Sequence, residues 1–318
     1  MSDIATNEAE DMKNKLTSAG VSEDSFLLAD INVEEQGFGS AYPTMIWYNG
    51  DPAKKAQGGI GYTGGFFIAA DAGVEKPAGF EDYTLITGEG EEIAGFAAKD
   101  VVMTVIRYRR CWIVKNEGAL PVRFGWNAYE EAQEYGKARG TAHVLAKLEG
   151  SEDIFLVTFV GMAAKAMLGQ GKERGVLPTF GNSILTAATR VATKKMKEAG
   201  VRGKPSAYPL CAFKIQIGPQ SENGAPVFTK VGKGSDTSMI TLPTWTDQGN
   251  TPTVPDTEIQ RRFVGNAMLS QLQEIHREAE GWVAAWDPET LAQRNQRGQR
   301  IASPIGSSAT PDDNKAPF

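Results

Sequence analysis

The run DVVMTVIRYRRCWIVKN, residues 100–116, is the stretch on which the fold turns. Val, Ile, Thr, Tyr and Trp dominate it, a composition that suits a pleated, half-buried surface. Side chains alternate across a strand. Regular alternation puts Val102, Thr104, Ile106, Tyr108, Arg110, Trp112 and Val114 on one face, and Val101, Met103, Val105, Arg107, Arg109, Cys111 and Ile113 on the other. Both faces begin apolar and turn basic in the middle. The frame is therefore a sheet, with a strand that sets cations beside aromatic rings.

Downstream, GTAHVLAKLEG (140–150) and DIFLVTFVG (153–161) are two strand-like runs separated by a short turn, which predicts a hairpin. MAAKAMLGQ (162–170) reads as a helix. A second helix lies within 175–201, where Ile184, Leu185, Ala188, Val191, Ala192 and Met196 recur at helical spacing. Gly200 suits its C-cap, and Lys194, Lys195 and Lys197 suit the negative end of its dipole. Strands are expected at 208–218 and 226–232, and the Thr- and Pro-rich stretch 241–256 reads as a loop. From Asp256, a suitable N-cap, to about Asp287 the spacing of Met268, Leu272, Ile275, Ala279, Trp282 and Trp286 predicts one long helix.

Upstream, residues 37–95 are rich in Gly and aromatics. QGGIGYTGGFFIAADAG (57–73) predicts strand pieces joined by tight turns, since Gly reaches positive φ at little cost. It lacks the Gly-Lys-Ser/Thr ending of a phosphate loop, and its glycines do not fit G-x-G-x-x-G. The chain divides into an acidic N-terminal arm (1–36), a β-rich α+β core (37–250), a C-terminal helical segment (251–297) and a disordered tail (298–318). The tail is Ser- and Pro-rich, without periodicity.

The 318 residues suffice for a well-buried core, and 41% apolar with 23% charged residues is ordinary for a globular chain. The start lacks the pattern of a secretory signal. No window approaches the ~20 apolar residues that span a bilayer. The expected location is cytoplasmic, or the host cytoplasm for a viral protein, with no membrane partner. Cys111, Cys211, His143 and His276 are far apart, with no zinc-ligand spacing, so no metal is expected. A single disulfide stays open. Nucleophile–base pairs are scarce, and carboxylates such as Glu89, Glu91 and Glu92 look like solvated surface. The reading is a binding protein with no catalytic residues and no cofactor.

The net charge of −6 hides an asymmetry. Residues 1–35 hold nine acids and two bases, whereas 160–215 hold ten bases and only Glu173 and Glu198 as acids. Local fields, not total charge, steer ligands. Two segments combine cations with rings. The first is Arg107, Tyr108, Arg109, Arg110 and Trp112. Cations track phosphates and aromatic faces stack on unpaired bases. The competing reading is an edge strand whose arginines meet local acids and whose Trp is core. The second is Arg190, Lys194, Lys195, Lys197, Arg202 and Lys204, ending in Tyr208. Clustered cations release counterions from nucleic acid. A helix end complementing its own dipole explains the lysines, but not Arg202 and Lys204 beyond it.

The chain ends Pro311-Asp312-Asp313-Asn314-Lys315-Ala316-Pro317-Phe318. This resembles the single-stranded DNA-binding proteins of bacteria and their phages, which finish in a short acidic run and Pro-Phe. Lys315 departs from that pattern. The resemblance implies that Asp312, Asp313, Pro317 and Phe318 dock on replication and recombination partners. A basic rim would attract the acids and a pocket would take the ring. The strand–hairpin–helix–strand order over 100–232 also resembles phage-type proteins built on an oligonucleotide-binding (OB) β-barrel. It implies an OB-type barrel. The chain is longer than a minimal barrel, so insertions or a second subdomain are expected, and the fold read is an OB-type barrel with inserted helices and the predicted long C-terminal helix. Single-stranded DNA is the expected ligand, and homo-oligomerisation stays open. The alternatives are a strand-annealing recombination accessory protein and a viral structural or interaction protein with no DNA role.

Overall fold

The computed structural model describes residues 42–86, 91–114, 122–233, 236–246 and 253–292. The strands are β1 (Thr44–Tyr48), β2 (Gly65–Ala69), β3 (Glu81–Ile86), β4 (Glu92–Ala98), β5 (Val101–Val114), β6 (Val122–Gly125), β7 (Ala138–Leu148), β8 (Ile154–Val160), β9 (Lys214–Pro219), β10 (Ser221–Glu222), β11 (Ala225–Pro226), β12 (Thr229–Lys233), β13 (Asp236–Ile240) and β14 (Pro243–Trp245). The helices are α1 (Gly59–Thr63), α2 (Tyr129–Tyr135), α3 (Met162–Leu168), α4 (Val176–Glu198), α5 (Ile259–Arg262), α6 (Asn266–Glu278) and α7 (Glu280–Ala284). The protein is mixed α+β, built on a strongly curled, half-barrel sheet in the order β14-β9-β5-β7-β8-β1-β2-β4-β3, with β6 paired to β5. Neighbours run antiparallel except β1 and β8, which are parallel. β3 and β14 form the two ends of this path, and β10–β11 and β12–β13 are separate two-stranded ribbons.

The 100–116 run is the organising strand. β5 pairs with β7 along nearly its whole length, with β9 over Val101–Thr104, and with β6 over Cys111–Val114. The β7–β8 hairpin and helix α3 form where the sequence places them. The strict alternation expected along β5 does not hold. The register slips between Val105 and Arg107, so Ile106 is an extra residue in a β-bulge. Met103 and Val105 face the main core, and beyond the bulge that face passes to Trp112 and Val114. Ile106, Cys111 and Ile113 lie in clusters on the opposite face. The bulge thereby turns Arg107 and Arg109 to the reverse face and Arg110 to the core side, opposite Leu145, His143 and Ala142 respectively.

The main core lies between the sheet and helices α3 and α4, with Phe155, Phe159, Met167 and Phe180 fully enclosed. On the reverse face, Ile106, Leu145 and Leu156 are covered by Leu272 of α6 and Trp282 of α7. Trp286 and Leu291 cover Cys111 and Ile113. Cys111 and Cys211 are buried in separate clusters, with no disulfide between them.

The long C-terminal helix is broken into three. A 3-10 turn at Asp256–Glu258 and α5 end where Phe263 turns extended, and Gly265, at φ 89°, redirects the chain into α6. The hydrophobic stripe was real but belongs to two helices, α6 and α7, plus a turn carrying Trp286. Asp256 is not a cap, because Pro255 takes that position. Residues 57–73 form α1 and β2, so one predicted turn is a short helix. Within 241–256, β14 pairs with β9 despite its Thr-Pro composition, because Trp245 fills a core position against Phe180. No helix among the described residues is long and apolar enough to cross a membrane.

Candidate nucleic-acid interface

The two basic segments meet opposite fates. On β5, Trp112 is 1% exposed, stacks on Trp126 at 4.8 Å, and donates its indole N–H to the Trp126 carbonyl at 2.8 Å. Tyr129 and the ammonium of Lys165 close in on the same ring. Gly140 pairs opposite, where a Cβ would press to within 3.2 Å of both indoles. A ring so enclosed has no face left for a base, so Trp112 is a core residue. Burial also lowers the pKa of Lys165, against the opposing pull of Glu173.

Arg109 is 3% exposed. Its guanidinium lies between Trp282 and Trp286, 4.1 and 4.2 Å from their centroids, and donates to the Trp282 carbonyl at 2.9 Å. Arg107 donates to the carbonyl of His276, in the last turn of α6, at 3.0 Å. Arg110 reaches the other way, to the carbonyl of Leu168 at 2.9 Å, which is the C-terminal end of α3. Burial lowers the Arg110 pKa, with Tyr108 opposing. Each arginine thus meets a helix-end carbonyl, where a cation is favourable. Among the described residues, backbone carbonyls are the partners found for Arg107 and Arg110. Tyr108 alone of this group stays exposed. His143, opposite Arg109 on β7, is fully buried. Burial, then the charges of Arg109 and Arg123, hold its pKa well below the ordinary imidazole value, and its Nε2 has no hydrogen-bond partner among the described residues.

The second segment remains open to solvent. The fully buried positions of α4 end at Ala188; over its last ten residues, Thr189–Glu198, about 15 Å of helix, Val191, Ala192, Thr193 and Met196 are half-buried and the rest face out. Ala199 is the C-cap, one residue before the expected Gly200, and Gly200, at φ 69°, turns the chain out of the helix. Lys194, Lys195, Lys197, Arg202 and Lys204 are exposed and make no ion pair with a described residue. Arg190 is exposed too, but its guanidinium is held by Asp256 at 2.7 Å. Thr189, Arg190, Thr193, Lys194 and Lys197 line an open groove of about 320 Å³. Tyr208, at the end of the following loop, is 40% exposed and sits edge-on to Phe213 at 5.8 Å and Phe263 at 6.1 Å. A cationic arm and a supported aromatic edge therefore share one helix–loop unit, residues 189–208. Sequence reasoning overlooked Asp256 as the partner of Arg190, and no local pattern signals that pair across 66 residues. Asp312, Asp313, Pro317 and Phe318 lie outside the described residues.

No group of three or more His, Cys, Asp and Glu among the described residues is placed to hold a metal ion. Neither a family model, nor a curated protein, nor a solved structure matches this chain.

Proposed function

We propose that this protein binds single-stranded DNA with little sequence preference and acts as a binder, not an enzyme, in phage or bacterial replication and recombination. The observation that carries the reading is the α4 arm with its loop. Five exposed cations there lack a described ionic partner, and one acid, Glu198, lies among them. Such a cluster gains affinity by releasing counterions from phosphates, and Tyr208 offers a ring for base stacking. The curled sheet behind the arm supports an OB-type reading of the fold, a plan in which the barrel is often partly open. In the same proposal the chain's last residues, Asp312, Asp313, Pro317 and Phe318, dock on replication and recombination proteins.

The test is a titration of labelled oligo(dT) at two salt concentrations. Binding is expected to weaken steeply with salt, with a log–log slope of about −0.7 per phosphate neutralised. Replacing Lys194 and Lys197 together by Gln should reduce that slope by about 1.4. Binding that is absent, or indifferent to salt, overturns the proposal. An annealing assay with complementary strands separates a protective binder from an annealing protein.

A further inference from the structure

Arg190 differs from the other cations of the arm in being occupied. Its Nε and Nη2 both reach one carboxylate oxygen of Asp256, at 3.1 and 2.7 Å. Asp256 comes from a different part of the chain, the turn that leads into α5, and that turn is fixed in place. The backbone N–H of Val254 donates to Ser183 Oγ on α4 at 2.6 Å, and Val254 is buried. The carboxylate is thus delivered to the rim of the groove by anchored backbone, not by a wandering side chain. Thr189 and Thr193 donate their hydroxyls to carbonyls one turn back, at 2.8 and 2.7 Å. They line the groove as small polar walls, leaving the charge to Arg190, Lys194 and Lys197, which share a helix face by their spacing.

A guanidinium fork binds carboxylate and phosphate in the same way. A carboxylate oxygen on Arg190 therefore stands where a phosphodiester oxygen would stand. We infer that this groove is a subsite for one backbone phosphate of the DNA strand, and that Asp256 occupies its arginine in the unliganded protein and yields it to the phosphate. This rests on the single-stranded DNA reading. The exchange is cheap. Both partners are more than half exposed, and such a pair contributes little to stability. Arg190 thereby stays oriented across the groove, and an anion must outcompete the carboxylate to use it.

The experiment is oligo(dT) titration of full-length wild type, Asp256→Asn, Arg190→Gln, the Arg190→Gln/Asp256→Asn double variant, and Glu198→Gln. Asp256→Asn should tighten binding roughly two- to fivefold at low salt, the span an exposed ion pair can supply, and less at high salt. In the Arg190→Gln background the same change should give no more than the small gain of Glu198→Gln. Glu198→Gln removes an equal charge from the same arm and reports the field alone, so its gain should be smaller. An Asp256→Asn gain that is undiminished without Arg190, or that Glu198→Gln equals, overturns the competition, as does no gain at all. If wild type does not bind oligo(dT), the functional proposal itself fails, and that outcome is distinct from a binder that ignores Asp256.

Discussion

Strand β5 and the far half of helix α4 are written in similar residues and have opposite roles. Each sets several cations beside aromatic side chains. On β5 the fold supplies helix-end carbonyls to Arg107, Arg109 and Arg110 and indole faces to Arg109, so that the charges are consumed inside the protein. On α4 the fully buried positions stop at Ala188, and among the described residues the charges beyond it find no ionic partner save, for Arg190, one carboxylate. A basic–aromatic pattern is therefore a binding surface only where the packing leaves its partners unfilled.

The largest expected effect separates the two regions directly. Trp112→Ala should cost about 3–5 kcal/mol of stability, as large core aromatics do. Its affinity for single-stranded DNA per folded molecule should be unchanged. Denaturant melts and titrations on the same variant decide this, and a stable variant that binds weakly would return β5 to the interface.

The mirror variant is Tyr208→Ala. It should lose about 1–3 kcal/mol of binding if the ring stacks on a base, and a smaller amount of stability, since the ring is 40% exposed. Unchanged affinity would remove the aromatic half of the proposed interface.

Acid sharpens the comparison further. The His143 pKa is depressed in the folded state, so the unfolded chain binds the extra proton first. Stability attached to His143 is whole above its unfolded pKa of about 6.5 and falls as pH drops below it, by at most about 1.4 kcal/mol per pH unit. Protonation would place a third cation beside Arg109 and Arg123. His276, lowered by burial and by Arg107, adds a contribution of the same sign. The melting temperature should decline from pH 7 to pH 5, and His143→Gln should flatten most of that decline. An equally steep decline in the variant would place the sensitivity elsewhere.

The smallest effect concerns the end of the chain. Removing residues 311–318 takes away Asp312 and Asp313 together with Lys315, a net loss of one negative charge, while keeping every cation of the arm. A tethered anionic segment competes with DNA at high effective concentration. The truncation should thus tighten binding modestly at low salt and less at high salt. Phe318→Ala should leave DNA affinity nearly unchanged and abolish capture of replication proteins. Identical pull-downs with and without Phe318 would make the Pro-Phe ending a coincidence.

Residue type and period alone determined much of this protein. The β-rich central run, the β7–β8 hairpin, helix α3 and the amphipathic α4 with its Gly200 exit all follow from contacts within a few residues, where propensity and spacing act. The cationic character of 190–204 was equally plain, because nothing about charge needs a fold to be counted. Only the tertiary structure decided which cations remain available. The bulge at Ile106 changes the face of every later β5 residue, and it arises from pairing with β7, some forty residues on. The break at Gly265 folds the C-terminal stripe onto the back of the sheet, where Trp282 and Trp286 enclose Arg109. Asp256 meets Arg190 across 66 residues because the turn before α5 is anchored to α4 through Val254 and Ser183. Burial and ion pairing depend on what the rest of the chain brings alongside, and that is a property of the packed whole.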